Sequence, residues 1–288
     1  MLNIQIPEIL TDYAQLKADD ISFVYYNEFA PTGRNLISFN QCAISFILSG
    51  EKELYKNSEQ TIVRKKEAVI IPHGNAIIAE RKLSDEKYSS LVVFFPADVA
   101  SDFIYKNCIN NNILKAPIAQ DKRNDFYKFK QTPYLTEYIF SIIRLIEKRI
   151  EINETIISHK LNELFLILIE THLHSFLSLF KQPVSTEINL RTIVENNLLN
   201  NLSLAELAFL SNNSLSTFKR KFEKEYGISP GQYIKNRKLD MACHELINGK
   251  KAADIYFELG YDNISNFTAA FKKKFGQLPS TYKLSLQD

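Results

Sequence analysis

Two stretches of the chain carry hydroxyl, amide and basic side chains at the spacing of an exposed helix face. The first holds Ser214, Ser216, Thr217, Lys219, Arg220 and Lys221, and the second holds Ser265, Asn266, Thr268, Lys272 and Lys273. Lys235 and Lys238 lie between them. Such a set does hydrogen bonding and charge pairing rather than bond making. Ammonium and guanidinium groups suit phosphate oxygens, while arginine, asparagine and hydroxyl groups match base edges in a DNA major groove. Other chemistry has less to work with. Cys42, Cys108 and Cys243 are far apart, with neither a zinc spacing nor a disulfide framework, which suits a reducing cytoplasm. His73 precedes Gly74 after a strand-like run, but His159, His172, His174 and His244 all fall in helical stretches. His172 and His174 point to different helix faces. A metal site needs several matched ligands, so no metal or cofactor is expected. No phosphate loop, nucleophile elbow or CxxC motif is present, Cys42 reads as packed core, and an enzyme is not expected.

The elements that would present these residues form a repeat. Phe218, Phe222, Tyr226, Gly227 and Pro230 recur 49 residues later as Phe267, Phe271, Phe275, Gly276 and Pro279. Two copies are too few for a solenoid, which needs about three. Each copy reads as a short helix, a turn and a second helix, over about 203–227 and 252–276. In the first, Ser203 and Glu206 form a capping box, Leu204, Leu207 and Ala208 face a core, and Ser211–Asn213 turn the chain. Ser214 caps the next helix, which buries Leu215, Phe218, Phe222 and Tyr226. Gly227 ends it, because glycine takes the left-handed cap conformation without steric cost. Pro230 opens a connecting helix to about Ile247 that carries Lys235, Arg237 and Lys238. In the second copy Ile255 and Leu259 are core, Gly260–Asn263 make a turn one residue longer, and Phe267 and Phe271 anchor the second helix. Lys272, Lys273 and Lys274 follow as an outward run. This is the geometry that places a helix in a major groove.

The 288 residues suit one or two domains, and 45% hydrophobic with 24% charged residues is ordinary for a globular chain. The overall charge is +2, whereas residues 186–288 hold 14 basic and 11 acidic side chains, a net +3. The start of the sequence lacks the pattern of a signal peptide, and no apolar run approaches the ~18 residues of a membrane span, so no membrane partner is expected. Residues 1 to about 96 read as short strands: 21–27, 42–50, 52–56, 60–65, 67–72, 76–82 and 89–96, separated by polar turns, as in a β-sandwich or barrel. Residues 97–108 read as a short helix and 110–133 as polar and irregular. Apolar residues at steps of three and four predict one helix over 134–152 and another over 155–179. This hairpin either closes the barrel or pairs with a second copy, or does both. Lys181–Ser185, with Pro183, is the candidate linker, and a new helix is expected over 187–199.

The region from Ile188 to Tyr282 resembles the C-terminal domain of the AraC/XylS family of bacterial transcription regulators. The resemblance is carried by Asp254-Ile255, Gly260-Tyr261, the run Ser265-Asn266-Phe267-Thr268-Ala269-Ala270-Phe271-Lys272, and Gly276-Gln277-Leu278-Pro279-Ser280-Thr281-Tyr282. The first unit keeps Ser214, Phe218, Arg220 and Phe222 in matching places. Tyr256, Ala269 and Lys283 depart from the family's alanine, arginine and arginine, so the second unit is expected to hold phosphates more than to read bases. The resemblance implies an α+β chain: a cupin-like β-barrel with a helical hairpin over 1–182, then an all-α domain over 186–288 with two helix-turn-helix subdomains. The segments Ile47–Tyr55 and Lys66–Gly74 have a cupin cadence. It further implies a cytoplasmic, sequence-specific DNA-binding regulator, an activator, with double-stranded DNA and RNA polymerase as partners. A small-molecule or protein effector would act at the N-terminal domain, and a homodimer would form through about 134–180. The alternative is a ligand- or protein-binding cupin-like module whose DNA domain is secondary.

Overall fold

The computed structural model describes residues 3–28, 33–56, 59–83, 87–109, 125–180 and 189–282. The chain divides into two compact units, Met1–Thr186 and Glu187–Asp288.

In the first unit the strands are β1 (Asn3–Ile6), β2 (Gln15–Ala18), β3 (Ile21–Glu28), β4 (Asn35–Phe39), β5 (Cys42–Ser49), β6 (Glu51–Tyr55), β7 (Gln60–Arg64), β8 (Glu67–Ile71), β9 (Gly74–Arg81), β10 (Tyr88–Phe95) and β11 (Tyr127–Lys130). They form two sheets, ordered β1-β4-β9-β6-β7 and β11-β8-β5-β10-β3-β2, antiparallel except for the parallel β1–β4 pair. The two sheets lie face to face, as the expected barrel requires. Val24, Val69, Val92 and Phe94 of the larger sheet meet Ile37, Leu54, Val63 and Ile78 of the smaller one. The opposite face of the larger sheet presents Phe23, Ile44, Phe46, Leu91, Val93 and Phe95 to the helices. Its central strands are therefore apolar on both faces, and every residue of β10 is buried. Strands covered on both sides lose the alternation that marks a half-exposed strand.

Three helices cover that face: α1 (Ala97–Ile104), α2 (Pro133–Glu147) and α3 (Glu154–Phe180). Phe103, Ile139, Ile142, Leu161, Phe165 and Leu168 share one core with the sheet, so the hairpin does cover the barrel. The bounds differ from the sequence reading in instructive ways. A π-helical turn, Tyr105–Ile109, follows α1 where a single helix to residue 108 was expected. α2 stops at Glu147 rather than 152, because Arg149 takes φ 50° and Ile150 N bonds back to Leu145 O at 3.0 Å. Asn153 then caps α3 by accepting from Ile156 N at 2.9 Å. α3 is not continuous: His172 leaves helical geometry (φ −141°, ψ 33°). Its ring packs 4.9 Å from Phe129, and its Nδ1 lies 3.0 Å from the Tyr127 hydroxyl. β11, unforeseen in the sequence, supplies both aromatic partners. The expected linker at 181–185, the polar segment 110–124, and Lys283 lie outside the described residues.

The second unit holds α4 (Leu190–Asn196), α5 (Leu204–Leu210), α6 (Leu215–Tyr226), α7 (Pro230–Ile247), α8 (Ala252–Ile255), α9 (Ile264–Phe275) and α10 (Pro279–Tyr282). α4 is shorter than the expected 187–199. It starts where Asn189 Oδ1 accepts from Arg191 N and Thr192 N at 2.9 and 3.2 Å. α8 is a single turn, and residues 256–260 continue as turns rather than as the expected helix to Leu259.

Candidate nucleic-acid interface

α5 and α6 make the first helix-turn-helix. The capping box forms as read from sequence: Glu206 N donates to Ser203 Oγ at 3.2 Å, and Ser203 N donates to Glu206 Oε2 at 2.7 Å. Asn212 turns the chain with φ 55°, and Ser214 Oγ caps α6 by accepting from Thr217 N at 3.2 Å. Phe218 and Phe222 are fully buried, which fixes the inward face of α6. Burying each ring is worth about 1.5–3 kcal/mol. With that side fixed, Ser216, Lys219, Arg220 and Lys221 are exposed and Thr217 is half-buried. Ser216 and Arg220 stand one turn apart, as do Thr217 and Lys221, so hydroxyl and basic groups share one face. Ser214 is exposed, but its hydroxyl is engaged: it donates to Thr217 Oγ1 at 2.9 Å and lies 3.1 Å from Ser216 Oγ. Its first task is to set the start of α6.

α8 and α9 make the second helix-turn-helix. Its cap is Asn263, whose Oδ1 accepts from Asn266 N at 2.8 Å. The sequence reading placed Asn263 only in the turn, although Asn at that position before an apolar helix is a recognisable cap. Phe267 and Phe271 are fully buried. Ser265, Asn266, Lys272 and Lys273 are exposed and Thr268 is half-buried. Lys274 departs from the outward lysine run. It turns back onto α7, 2.6 Å from Asp240 Oδ1 and 2.6 Å from Asn236 O.

α7 joins the two. Lys235 is exposed. Lys238 is half-buried and donates to Asn201 Oδ1 at 2.9 Å, and burial pushes its ammonium pKa down. Arg237 forks onto Glu195 of α4 at 2.7 and 3.0 Å, with the Tyr233 hydroxyl donating to the same carboxylate. Burial pushes the Glu195 carboxyl up, but the Arg237 and Tyr233 hydrogen bonds outweigh it and hold it below the usual range. A groove of about 580 Å³ between α7 and the second helix-turn-helix gathers Lys235, Lys238, Asn266 and Lys273, with Ala269 and Ala270 on its wall. The larger residue expected at 269 would stand at this groove.

A second cavity lies in the first unit, between the sheets. It measures about 820 Å³ and is walled by side chains including Tyr13, Tyr26, Ile37, Phe39 and Val92, with Lys52, Glu80 and Ser90 as polar lining. Lys52 Nζ is 3.2 Å from Glu80 Oε1 and donates to Ser45 Oγ at 3.0 Å. Ser90 Oγ and the neighbouring Tyr88 hydroxyl are buried without a hydrogen bond of ordinary geometry. Among the described residues, no cluster of three or more side chains suited to a metal ion occurs, and no helix is long and apolar enough to cross a membrane.

Comparison with known proteins adds the family. Residues 42–187 match the ExsA N-terminal regulatory domain, and residues 204–285 match a helix-turn-helix domain. The virulence regulon transcriptional activator VirF of Yersinia enterocolitica is 31% identical over 160 residues, which are 54% of this chain and 59% of VirF. Another Y. enterocolitica VirF, from serotype O:8, is 26% identical across 90% of this chain and 94% of its own length. The regulator ExsA of Pseudomonas aeruginosa is 33% identical over 92 residues, 32% of this chain and 33% of ExsA. Among solved structures, ToxT from Vibrio cholerae aligns over 92% of this chain and 98% of its own, at 13% identity and a TM-score of 0.39. With one family covering the barrel from β5 onward and its helices and the other covering both helix-turn-helix units, the chain belongs to the AraC/XylS family of regulators and matches an ExsA-type regulatory domain in its first unit.

Proposed function

We propose that the chain is a sequence-specific DNA-binding transcription regulator, an activator acting in the cytoplasm, controlled through its first unit. The observation that carries this reading is the pair α6 and α9. They have equal length, each is capped by a polar side chain, and each is pinned by two buried phenylalanines with a hydroxyl and basic face turned outward. α6 reads bases through Arg220, Ser216, Thr217 and Lys219. Lys221, Lys235, Lys272 and Lys273 meet phosphates, whereas Lys238, expected to join them, is half-buried on Asn201, and Ser265, Asn266 and Thr268 give α9 a weaker reading face. The two helices enter successive major-groove segments about 34 Å apart on one face of the DNA.

Control and partners follow from the first unit. The barrel cavity supports a small effector, since its apolar wall carries a few polar groups that would fix orientation. Exposed Phe140, Ile156 and Leu166 on α2 and α3 support a homodimer through those helices. RNA polymerase is the partner of an activator. Selection of bound sequences from a random DNA pool, with and without cell extract, tests the reading. An enriched sequence whose recovery depends on Arg220 supports it, and a pool with no enrichment refutes it.

A further inference from the structure

We infer that Lys274, through Asp240, and Lys238, through Asn201, are positioning residues that fix the distance between the two recognition helices, so that the protein measures the spacing of its two DNA segments. The inference rests on the DNA-binding reading above.

Three observations meet on α7. Toward its start, Arg237 and Tyr233 tie it to Glu195 of α4, beside the first helix-turn-helix. On the same two turns, the Asn236 carbonyl and Asp240 hold Lys274 at the end of α9, both at 2.6 Å. Between these, Lys238 reaches Asn201, ahead of α5, beside the Gly260 turn of the second helix-turn-helix. That contact is close: a Cβ at Gly260 would stand 2.2 Å from Asn201 Oδ1 and 2.9 Å from Lys238 Nζ.

These bonds do what the core does not. Phe267 and Phe271 hold α9 against Leu239, Ala242 and Leu246 of α7 and fix which face turns inward, but apolar attraction is non-directional and sets the tilt of the helix less sharply than a hydrogen bond does. Short charge-assisted hydrogen bonds are directional, and Lys274 lies near the end of α9, where a small rotation moves the reading face most. Lys274 is also the one member of its lysine run turned inward; Lys272 and Lys273 are exposed. One inserted base pair moves the far major-groove segment by about 3.4 Å and roughly 35° around the axis. A braced pair of helices cannot follow such a shift.

The test is a gel-shift series with the full chain on its selected site and on sites with one or two base pairs inserted or removed between the segments. The wild type should bind a one-pair insertion at least about tenfold more weakly. Lys274→Met and the milder Asp240→Asn should shrink that penalty to roughly threefold or less, with an unchanged salt slope, because Lys274 does not neutralise a phosphate. The charge exchange Asp240→Lys with Lys274→Asp should restore part of the penalty. A wild type indifferent to spacing, or single variants that keep the full penalty, would overturn the inference while leaving DNA binding intact. So would a variant whose salt slope falls by about 0.9, which marks a phosphate contact. Absence of any selected site would instead refute the DNA-binding reading itself.

Discussion

Replacing Gly260 with alanine should cost the second helix-turn-helix about 2–3 kcal/mol, and the cost has two separable parts. Gly260 holds φ 75°, where a Cβ costs about 1–2 kcal/mol. The new methyl also falls 2.2 Å from Asn201 Oδ1, so the Asn201 side chain must swing away from Lys238. A hydrogen bond to a charged group is worth about 1.5–3 kcal/mol, but Lys238 is only half-buried, and solvent screening brings this nearer 1 kcal/mol. Changing Asn201 to glycine isolates the second part. Asn201 itself sits at φ 50°, which glycine accepts, so Asn201→Gly removes the clashing oxygen without new backbone strain. In that background Gly260→Ala should cost only its backbone part, and the double-mutant cycle should show a coupling of roughly 1 kcal/mol. Native-state hydrogen exchange of the α9 amides measures the local opening energy for all four proteins. Costs that are equal within about 0.3–0.5 kcal/mol in the two backgrounds would refute the close-approach argument and leave only the φ effect.

Three further outcomes are expected. Arg220→Ala should weaken the selected site by about 1–3 kcal/mol and relax base preference under α6, as read by competition gel shifts against single-base variants. Lys272→Ala should weaken all sequences alike and lower the salt slope by about 0.9, and a sequence-selective loss would count against a phosphate role. Lys56 bears on the first unit. Its buried ammonium, bonded to the Pro72 and His73 carbonyls, has its pKa lowered to about 8 by burial. Between pH 8 and the unfolded value near 10.4 the unfolded chain binds more protons, so this group makes stability rise with pH across that window. The difference in Tm between pH 8 and pH 10 should therefore be more positive in the wild type than in Lys56→Met.

The second unit was more legible in the sequence than the first, for physical reasons. Caps, aromatic anchors and glycine stops act within a few residues of where they are written. The Ser203–Glu206 box, the Ser214 cap and the Phe218–Phe222 pair could therefore be read directly. The barrel helices were legible as periodic runs, but their ends were not: the stop of α2 depends on Arg149 adopting φ 50°, and the break in α3 on His172 meeting a strand 45 residues earlier. β1, β2 and β11 have four residues each and acquire their identity from neighbours. Among basic residues, sequence supplied the exposed face but not its exceptions. Lys274, Arg237 and Lys238 look like their neighbours until α7 brings Asp240, Glu195 and Asn201 to them.

The unequal faces of α6 and α9 give the protein a heading. One helix carries Arg220, and the other has Ala269 on the wall of a groove. They follow one another in a single chain, so one copy laid on DNA has a front and a back. The corresponding site would be lopsided, with most of its information in one half and a tolerant stretch in the other. Turned end for end, it would present the chain's remaining surface to the opposite side of the start point. On the activator reading proposed above, a promoter with the site inverted should bind as well as before and yet fail to fire, so that orientation and occupancy would be separate quantities.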